Sequence, residues 1–105
     1  MMKFEENTGL LLDALSFSAS KHRNQRRKDM EKSPYINHPI DVAHLLWRVG
    51  NVRDVTVLLA SILHDTIEDT DTSPAEISEL FGEDVLSFAL LLGKAFVVSD
   101  LQHKR

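Results

Sequence analysis

The stretch that most constrains this chain is an apolar run, Val55 to Leu63, that leads directly into a group of charged side chains. One histidine and four carboxylates follow within eight residues: His64, Asp65, Glu68, Asp69 and Asp71. Ionised carboxylates beside a hydrophobic core are costly unless they are paired or bound to a metal. This junction is therefore the first candidate for a functional site.

Helical periodicity runs through the rest of the chain, which has only 4 Gly and 3 Pro and no sustained alternation of apolar and polar residues. The pattern predicts five helices: from Asn7 or Thr8 to about Arg23, from about Pro39 to Gly50, from about Val52 to Asp65, from Ser73-Pro74 to Phe81, and from about Glu83 to Val98. The third is apolar almost all round, which is typical of the buried centre of a bundle. Its β-branched residues make a buried strand the rival interpretation.

Local signals mark the remaining boundaries. Ser73-Pro74-Ala75-Glu76 is a helix start, with serine as the cap, proline at the first helical position and Glu76 completing a capping box. The polar segment 24–33 reads as a loop, and residues 100–105 are expected to fray. We expect residues 1–105 to form one domain.

Composition restricts the class of protein. The chain is 43% hydrophobic and 27% charged, as in a globular protein, and has no cysteine, so a metal site must use His, Asp or Glu ligands. A net charge of −4 argues against broad nucleic-acid binding. Neither a signal peptide nor a membrane span is evident, so the expectation is a soluble cytoplasmic protein.

The spacing of the charged group suits metal chemistry. On a continuing helix, Glu68 follows His64 by four residues and Asp69 follows Asp65 by four, so all lie within about one turn. His38, just before Pro39, is a second imidazole from a neighbouring element. Nitrogen and oxygen ligands suit Mn²⁺, Fe²⁺, Zn²⁺ or Mg²⁺. The plain alternative is a hydrogen-bonded core histidine beside a solvated acidic loop.

The other charged residues also have both a functional and an ordinary interpretation. The basic segment 21–28 offers donors for a phosphate-rich substrate, although such a run is ordinarily a solvated surface. His22 and His103 have no carboxylate pattern around them, so we expect both to be exposed.

Four motifs occur in an order that is similar to a known family: Lys21-His22-Arg23-Asn24-Gln25-Arg26-Arg27-Lys28-Asp29, Pro34-Tyr35-Ile36-Asn37-His38-Pro39, Leu63-His64-Asp65-Thr66-Ile67-Glu68-Asp69-Thr70 and Phe81-Gly82-Glu83-Asp84-Val85. They resemble the HD-domain hydrolases of the RelA/SpoT stringent-response family, particularly the small single-domain metazoan SpoT homologues. The resemblance covers about residues 8–90.

The resemblance implies an all-α HD-domain helical bundle and a Mn²⁺-dependent hydrolase that removes the 3′-pyrophosphate from guanosine tetra- or pentaphosphate. By motif position it implies three metal ligands, His38, His64 and Asp65. It likewise implies that Glu68 and Asp69 position or activate the attacking water. The implied nucleotide-binding residues are Arg27, Lys28, Lys21 and Asn24, with Arg27 near the guanine.

The sequence departs from the family pattern toward its C-terminus. The family's fourth metal ligand is an Asp in a later Lys-Leu-Ala-Asp-Lys-like helix, and nothing after Val85 reproduces that motif. Asp100 is too early to be its equivalent. We therefore expect a shortened bundle, with two alternatives to the alarmone hydrolase: an HD phosphohydrolase acting on another nucleotide, or a catalytically impaired nucleotide-binding or regulatory module.

An apolar run in the last predicted helix raises the question of a partner. Its members are Leu86, Leu90, Leu91, Leu92, Phe96 and Val97. Large exposed apolar patches usually mark interaction sites, so we expect a homo-oligomer.

Overall fold

Five helices make up the structure, a computed structural model that describes residues 4–26 and 31–103, with side chains described as far as Lys94. They are α1 (Phe4–Lys21), α2 (Asn37–Arg48), α3 (Val55–Asp69), α4 (Pro74–Phe81) and α5 (Glu83–His103). Within the described ranges, extended pairing is limited to one isolated antiparallel bridge between Arg26 and Pro34. The predicted all-α bundle is confirmed.

Helix α3 is the centre of the bundle and packs against α1, α2 and α5. Residues 58–66 are buried without interruption, which includes the last six residues of the apolar run and also His64, Asp65 and Thr66. The side chain of Asp54 caps the helix by accepting a hydrogen bond from the Thr56 amide at 2.9 Å. The strand alternative is wrong, and the helix continues to Asp69, past the predicted end at Asp65. His64, Asp65, Glu68 and Asp69 therefore share one helix.

The hydrophobic core joins α3 to the helices on either side of it. Its buried members are Ala14, Leu59, Ile62, Leu63, Ile77 and Val85. A buried hydrogen bond from the Ser18 hydroxyl to the Ile62 carbonyl, 3.2 Å long, also ties α1 to α3. The apolar part of α3 is thus fixed on several sides, which holds the residues that follow Leu63 in place.

The start of α4 follows its local signal. Ser73 accepts a hydrogen bond from the Glu76 amide at 3.2 Å, and Pro74 is the first helical residue. The Glu76 carboxylate is directed instead toward Lys21, whose Nζ lies 3.5 Å away. The serine cap is confirmed, while the acid predicted to complete a capping box forms an ion pair with α1.

Several helix boundaries differ from the prediction. Helix α1 already includes Asn7 and Thr8, the residues expected to cap it, and ends at Lys21, while α3 begins at Val55 rather than at about Val52. Helix α5 extends to His103, so residues 100–103 of the segment expected to fray are helical; residues 104 and 105 lie outside the described part of the chain. Helix α2 begins at Asn37, two residues before Pro39, and includes His38 in its first turn. That placement orients His38 toward α3.

His22 is buried, with 1% of its surface exposed, so the expectation of an exposed side chain is wrong. Its ring stacks on Tyr35, with centroids 4.6 Å apart and planes inclined by 26°. Its Nδ1 lies 2.8 Å from the Gln25 side-chain oxygen. These contacts join the turn after α1 to the segment before α2. Spacing along the sequence does not predict them. The side chain of His103 is outside the described part.

Candidate metal centre

His38, His64 and Asp65 meet where the first turn of α2 approaches α3. The Nε2 atom of His64 lies 3.1 Å from Oδ1 of Asp65, and Nε2 of His38 lies 3.5 Å from Oδ2. Each carboxylate oxygen of Asp65 therefore has its own imidazole. His64 and Asp65 are both buried, whereas the His38 side chain is 36% exposed and opens the site to solvent.

The orientation of His64 is set by its own helix. Its Nδ1 lies 2.9 Å from the Ser61 carbonyl oxygen, to which only an N–H can donate. Nε2 is consequently the nitrogen that faces Asp65, and in the neutral ring it carries a lone pair. A backbone carbonyl on the far nitrogen is the usual way in which proteins orient a metal-binding histidine.

Without a metal, the electrostatics of the pair favour its charged form, in which Nε2 of His64 carries the proton that a metal ion would displace. Burial alone would lower the pKa of His64, but the hydrogen bond to Asp65 and the charge of that carboxylate raise it above its ordinary value. Burial would likewise raise the pKa of Asp65, but the hydrogen bond and charge of His64, together with His38, lower it below its ordinary value. Asp65 is thus held as a carboxylate between two imidazoles.

The donor set fits a divalent cation. Two ligand atoms that are each about 2.0–2.2 Å from one ion lie roughly 3–3.5 Å apart, which agrees with both contacts to Asp65. Oδ2 of Asp65 is buried and has no hydrogen-bond partner among the described residues. In the described part of the chain no three such side chains already surround a single point, and the two imidazoles face different oxygens of Asp65. The buried oxygen without a hydrogen-bond partner is the observation that fits a cation at this position.

The next turn of α3 carries the other two acidic residues, and both are exposed. Asp69 accepts a hydrogen bond at Oδ2 from the Tyr35 hydroxyl, 3.0 Å away, and its backbone carbonyl accepts one from Gln25 Nε2 at 2.7 Å. Burial and the negative charges of Asp65 and Asp69 raise the pKa of Tyr35, so its hydroxyl stays protonated and can donate. Asp69 is the more firmly held of the two acids.

Glu68 lies against α5 at Gly93. A methyl group built on Gly93 would overlap the Glu68 carboxylate, with its Cδ only 3.3 Å from that position. Because glycine has no Cβ, position 93 provides the space that the Glu68 carboxylate occupies.

The structure describes two of the four predicted nucleotide-binding residues, Lys21 and Asn24. Arg27 and Lys28 lie outside the described residues. The ammonium of Lys21 lies 3.7 Å from Asp71 and 3.5 Å from Glu76, so its charge is already matched by two carboxylates. Asn24 is exposed in the turn after α1.

Three residues around the acids had no role in the sequence interpretation: Gln25, Tyr35 and Gly93. Tyr35 lies within a quoted motif three residues before His38, which is the one signal that points to it. Gln25 contacts Asp69 across 44 positions of sequence, and no local pattern indicates that contact.

No helix in the described part of the chain is both long and apolar enough to cross a membrane.

Comparisons with known proteins identify the family of this chain. The sequence profile of the HD domain matches residues 14–100. The guanosine-3′,5′-bis(diphosphate) 3′-pyrophosphohydrolase MESH1 of Danio rerio is 53% identical over 79 residues, or 75% of this chain and 44% of the relative. The Homo sapiens MESH1 is 55% identical over 75 residues, or 71% of this chain and 42% of the relative.

A solved structure is also similar to this chain. It is described as a metazoan ortholog of SpoT that hydrolyses ppGpp, and it matches with a TM-score of 0.74 and 42% identity over 76% of this chain and 45% of that one. The chain thus spans less than half the length of these relatives. With the HD profile covering most of the sequence, the chain belongs to the HD-domain family.

Proposed function

We propose that this chain is, or is part of, a metal-dependent phosphohydrolase that removes the 3′-pyrophosphate from guanosine tetra- or pentaphosphate, leaving GDP or GTP. The observation that carries the proposal is the contact of both imidazoles, His38 and His64, with opposite oxygens of Asp65. The substrate follows from the activity in the names of the MESH1 relatives.

His38, His64 and Asp65 would hold the metal, with Mn²⁺ as the first candidate and other divalent ions as alternatives. When bound, such an ion polarises water and neutralises charge on a phosphate group. The chain's part is to keep Asp65 ionised and to present Nε2 of His64, which the Ser61 carbonyl orients.

The acids one turn further along α3 would handle the water. Asp69 presents a carboxylate whose Oδ2 is fixed by Tyr35, so its other oxygen is available to orient a water molecule. Glu68, exposed beside Gly93, would accept the proton that the water loses. Arg27 and Lys28 would bind the nucleotide phosphates, with Arg27 near the guanine, while Lys21 and Asn24 are secondary candidates.

The test is pyrophosphate release from guanosine tetraphosphate in the presence of Mn²⁺, comparing the native chain with Asp65→Ala. We expect release by the native chain, none after chelation of the metal, and none by the variant. If the native protein releases no pyrophosphate in a metal-dependent way, the proposed activity is ruled out. Release from other nucleotides at equal rates would instead favour a different substrate of the same fold.

A binding or regulatory module is the second candidate, since no three histidine or carboxylate side chains surround a single point among the described residues. Calorimetry separates the two. Nucleotide binding without turnover supports the module, and metal binding with turnover supports the hydrolase.

Gly93→Ala should uncouple stability from activity. The added methyl displaces the Glu68 carboxylate, which is the flexible end of its side chain, so the fold is spared and α5 gains helix propensity of about 1 kcal/mol. Misplacing a group that moves the proton should lower kcat about 10- to 100-fold.

Gly9→Ala is the matched control for that variant, because a Cβ at this helical glycine meets nothing within 4 Å. Thermal unfolding and initial rates are measured on all three proteins. Full kcat in Gly93→Ala would show that the position of Glu68 does not matter.

We also propose that the protein is cytoplasmic and that copies associate through α5. Leu90 and Leu91 are 43% and 60% exposed on that helix, whereas Leu86 and Leu92 are partly buried. The side chains of Phe96 and Val97 lie outside the described part. Light scattering should give a mass above that of the monomer, and a monomer across micromolar concentrations would contradict the association.

A further inference from the structure

Asp69 is held from two directions by residues outside α3. The Tyr35 hydroxyl donates to its carboxylate at 3.0 Å, and the Gln25 amide donates to its backbone carbonyl at 2.7 Å. The same residue therefore has both its side chain and its peptide group fixed by the connection between α1 and α2.

Tyr35 in turn contacts two other rings. It stacks on the buried His22 at 4.6 Å and meets His38 edge-on at 5.9 Å. A phenol held in this way has little freedom to move its hydroxyl away from Asp69. Its position is also tied to His38, which faces Asp65.

The hydrogen bonds fix the direction of every donor in this group. The Asp69 carbonyl can only accept, so Gln25 must present its NH₂ group to it. The Gln25 oxygen is then an acceptor, and His22 must donate to it from Nδ1–H. One orientation of Gln25 is therefore required and, in the neutral ring, the Nδ1–H tautomer of His22.

We propose that Tyr35 is a positioning residue for Asp69, and that His22 and Gln25 hold Tyr35 and the end of α3 in the arrangement that this requires. The importance of the position of Asp69 for turnover rests on the proposed hydrolase function. The restraint on its side chain does not.

The first experiment measures the χ1 rotamer of Asp69 by three-bond couplings in the isotope-labelled, metal-free chain. We expect a single rotamer in the native protein and in Ser20→Ala, an exposed position on α1. Tyr35→Phe keeps the ring stack and removes only the hydroxyl, so it should give averaged couplings. A single unchanged rotamer in Tyr35→Phe would overturn the proposal.

A second measurement does not depend on that variant. Nitrogen-15 shifts of His22 in the native chain should identify the Nδ1–H tautomer, and Gln25→Ala should remove that preference while the helices stay folded. The Nε2–H tautomer in the native protein would overturn the support assigned to His22 and Gln25.

Kinetics then connect the restraint to turnover. Tyr35→Phe should lower kcat about 10- to 100-fold with KM nearly unchanged, as loss of an outer hydrogen-bond partner typically does. An averaged rotamer with full kcat would refute the effect on turnover. If the native chain has no activity, the proposed function fails, and the rotamer measurement still decides whether Tyr35 positions Asp69.

Discussion

Asp65→Asn is expected to weaken Mn²⁺ binding by more than about 100-fold, which is the upper end of the loss seen when only an outer partner of a ligand is removed. Asp65 faces both imidazoles, with Nε2 atoms at 3.1 and 3.5 Å from its two oxygens. Asparagine keeps the shape but presents one oxygen and one NH₂ group, and it has no charge to match the cation.

Calorimetric titration of the metal-free proteins with Mn²⁺ measures the effect. Asp13→Asn is the matched control, since it removes an exposed carboxylate from α1 and should leave the affinity unchanged. If Asp65→Asn and Asp13→Asn bind Mn²⁺ equally well, the ion binds somewhere other than beside Asp65.

Leu63→Ala should have the largest effect on folding, a loss of about 2–5 kcal/mol in the free energy of unfolding. Leu63 is fully buried in the core and immediately precedes His64. Truncating it leaves a cavity under the helix that carries the site. Because small domains are stabilised by only about 5–15 kcal/mol, this is a large share of the total.

Denaturant unfolding compares Leu63→Ala with Leu12→Ala, whose side chain is 61% exposed on α1 and should change stability by no more than about 0.5 kcal/mol. Equal losses in the two variants would mean that α3 is not the centre of the core.

The helices were predictable from the sequence because their signals are local. The cap at Ser73 and the proline after it fix the start of α4, and the apolar run fixes α3 as a buried element. The helix ends were harder to predict, because the signals there are weaker than in the helix interiors. α3 gains a last turn that includes Glu68 and Asp69, where the sequence becomes polar and helical periodicity no longer decides.

Only part of the candidate site could be predicted from the sequence. Spacing places Glu68 and Asp69 near His64 and Asp65, and the position before Pro39 makes His38 a candidate imidazole, but only the resemblance assigned His38 to one metal with His64 and Asp65. The burial of His22 and the contact from Gln25 to Asp69 depend on how the connection after α1 folds onto α3. Such tertiary contacts have no periodicity that a single sequence displays.

The ion pairs of Lys21 illustrate the same limit. Its motif position suggests a nucleotide-binding residue, yet its ammonium lies between Asp71 and Glu76, at the start of α4. A side chain with four flexible bonds can reach several partners, and only the packing of α1 against the neighbouring segment selects among them.

The central claim is that His38, His64 and Asp65 together hold a divalent cation. The most direct measurement is an anomalous-scattering map from crystals of the chain grown with Mn²⁺. We predict one strong peak bounded by Nε2 of His38, Nε2 of His64 and the Asp65 carboxylate. A map with no peak at that position would contradict this assignment, whether the manganese peak lies elsewhere in the chain or is absent altogether.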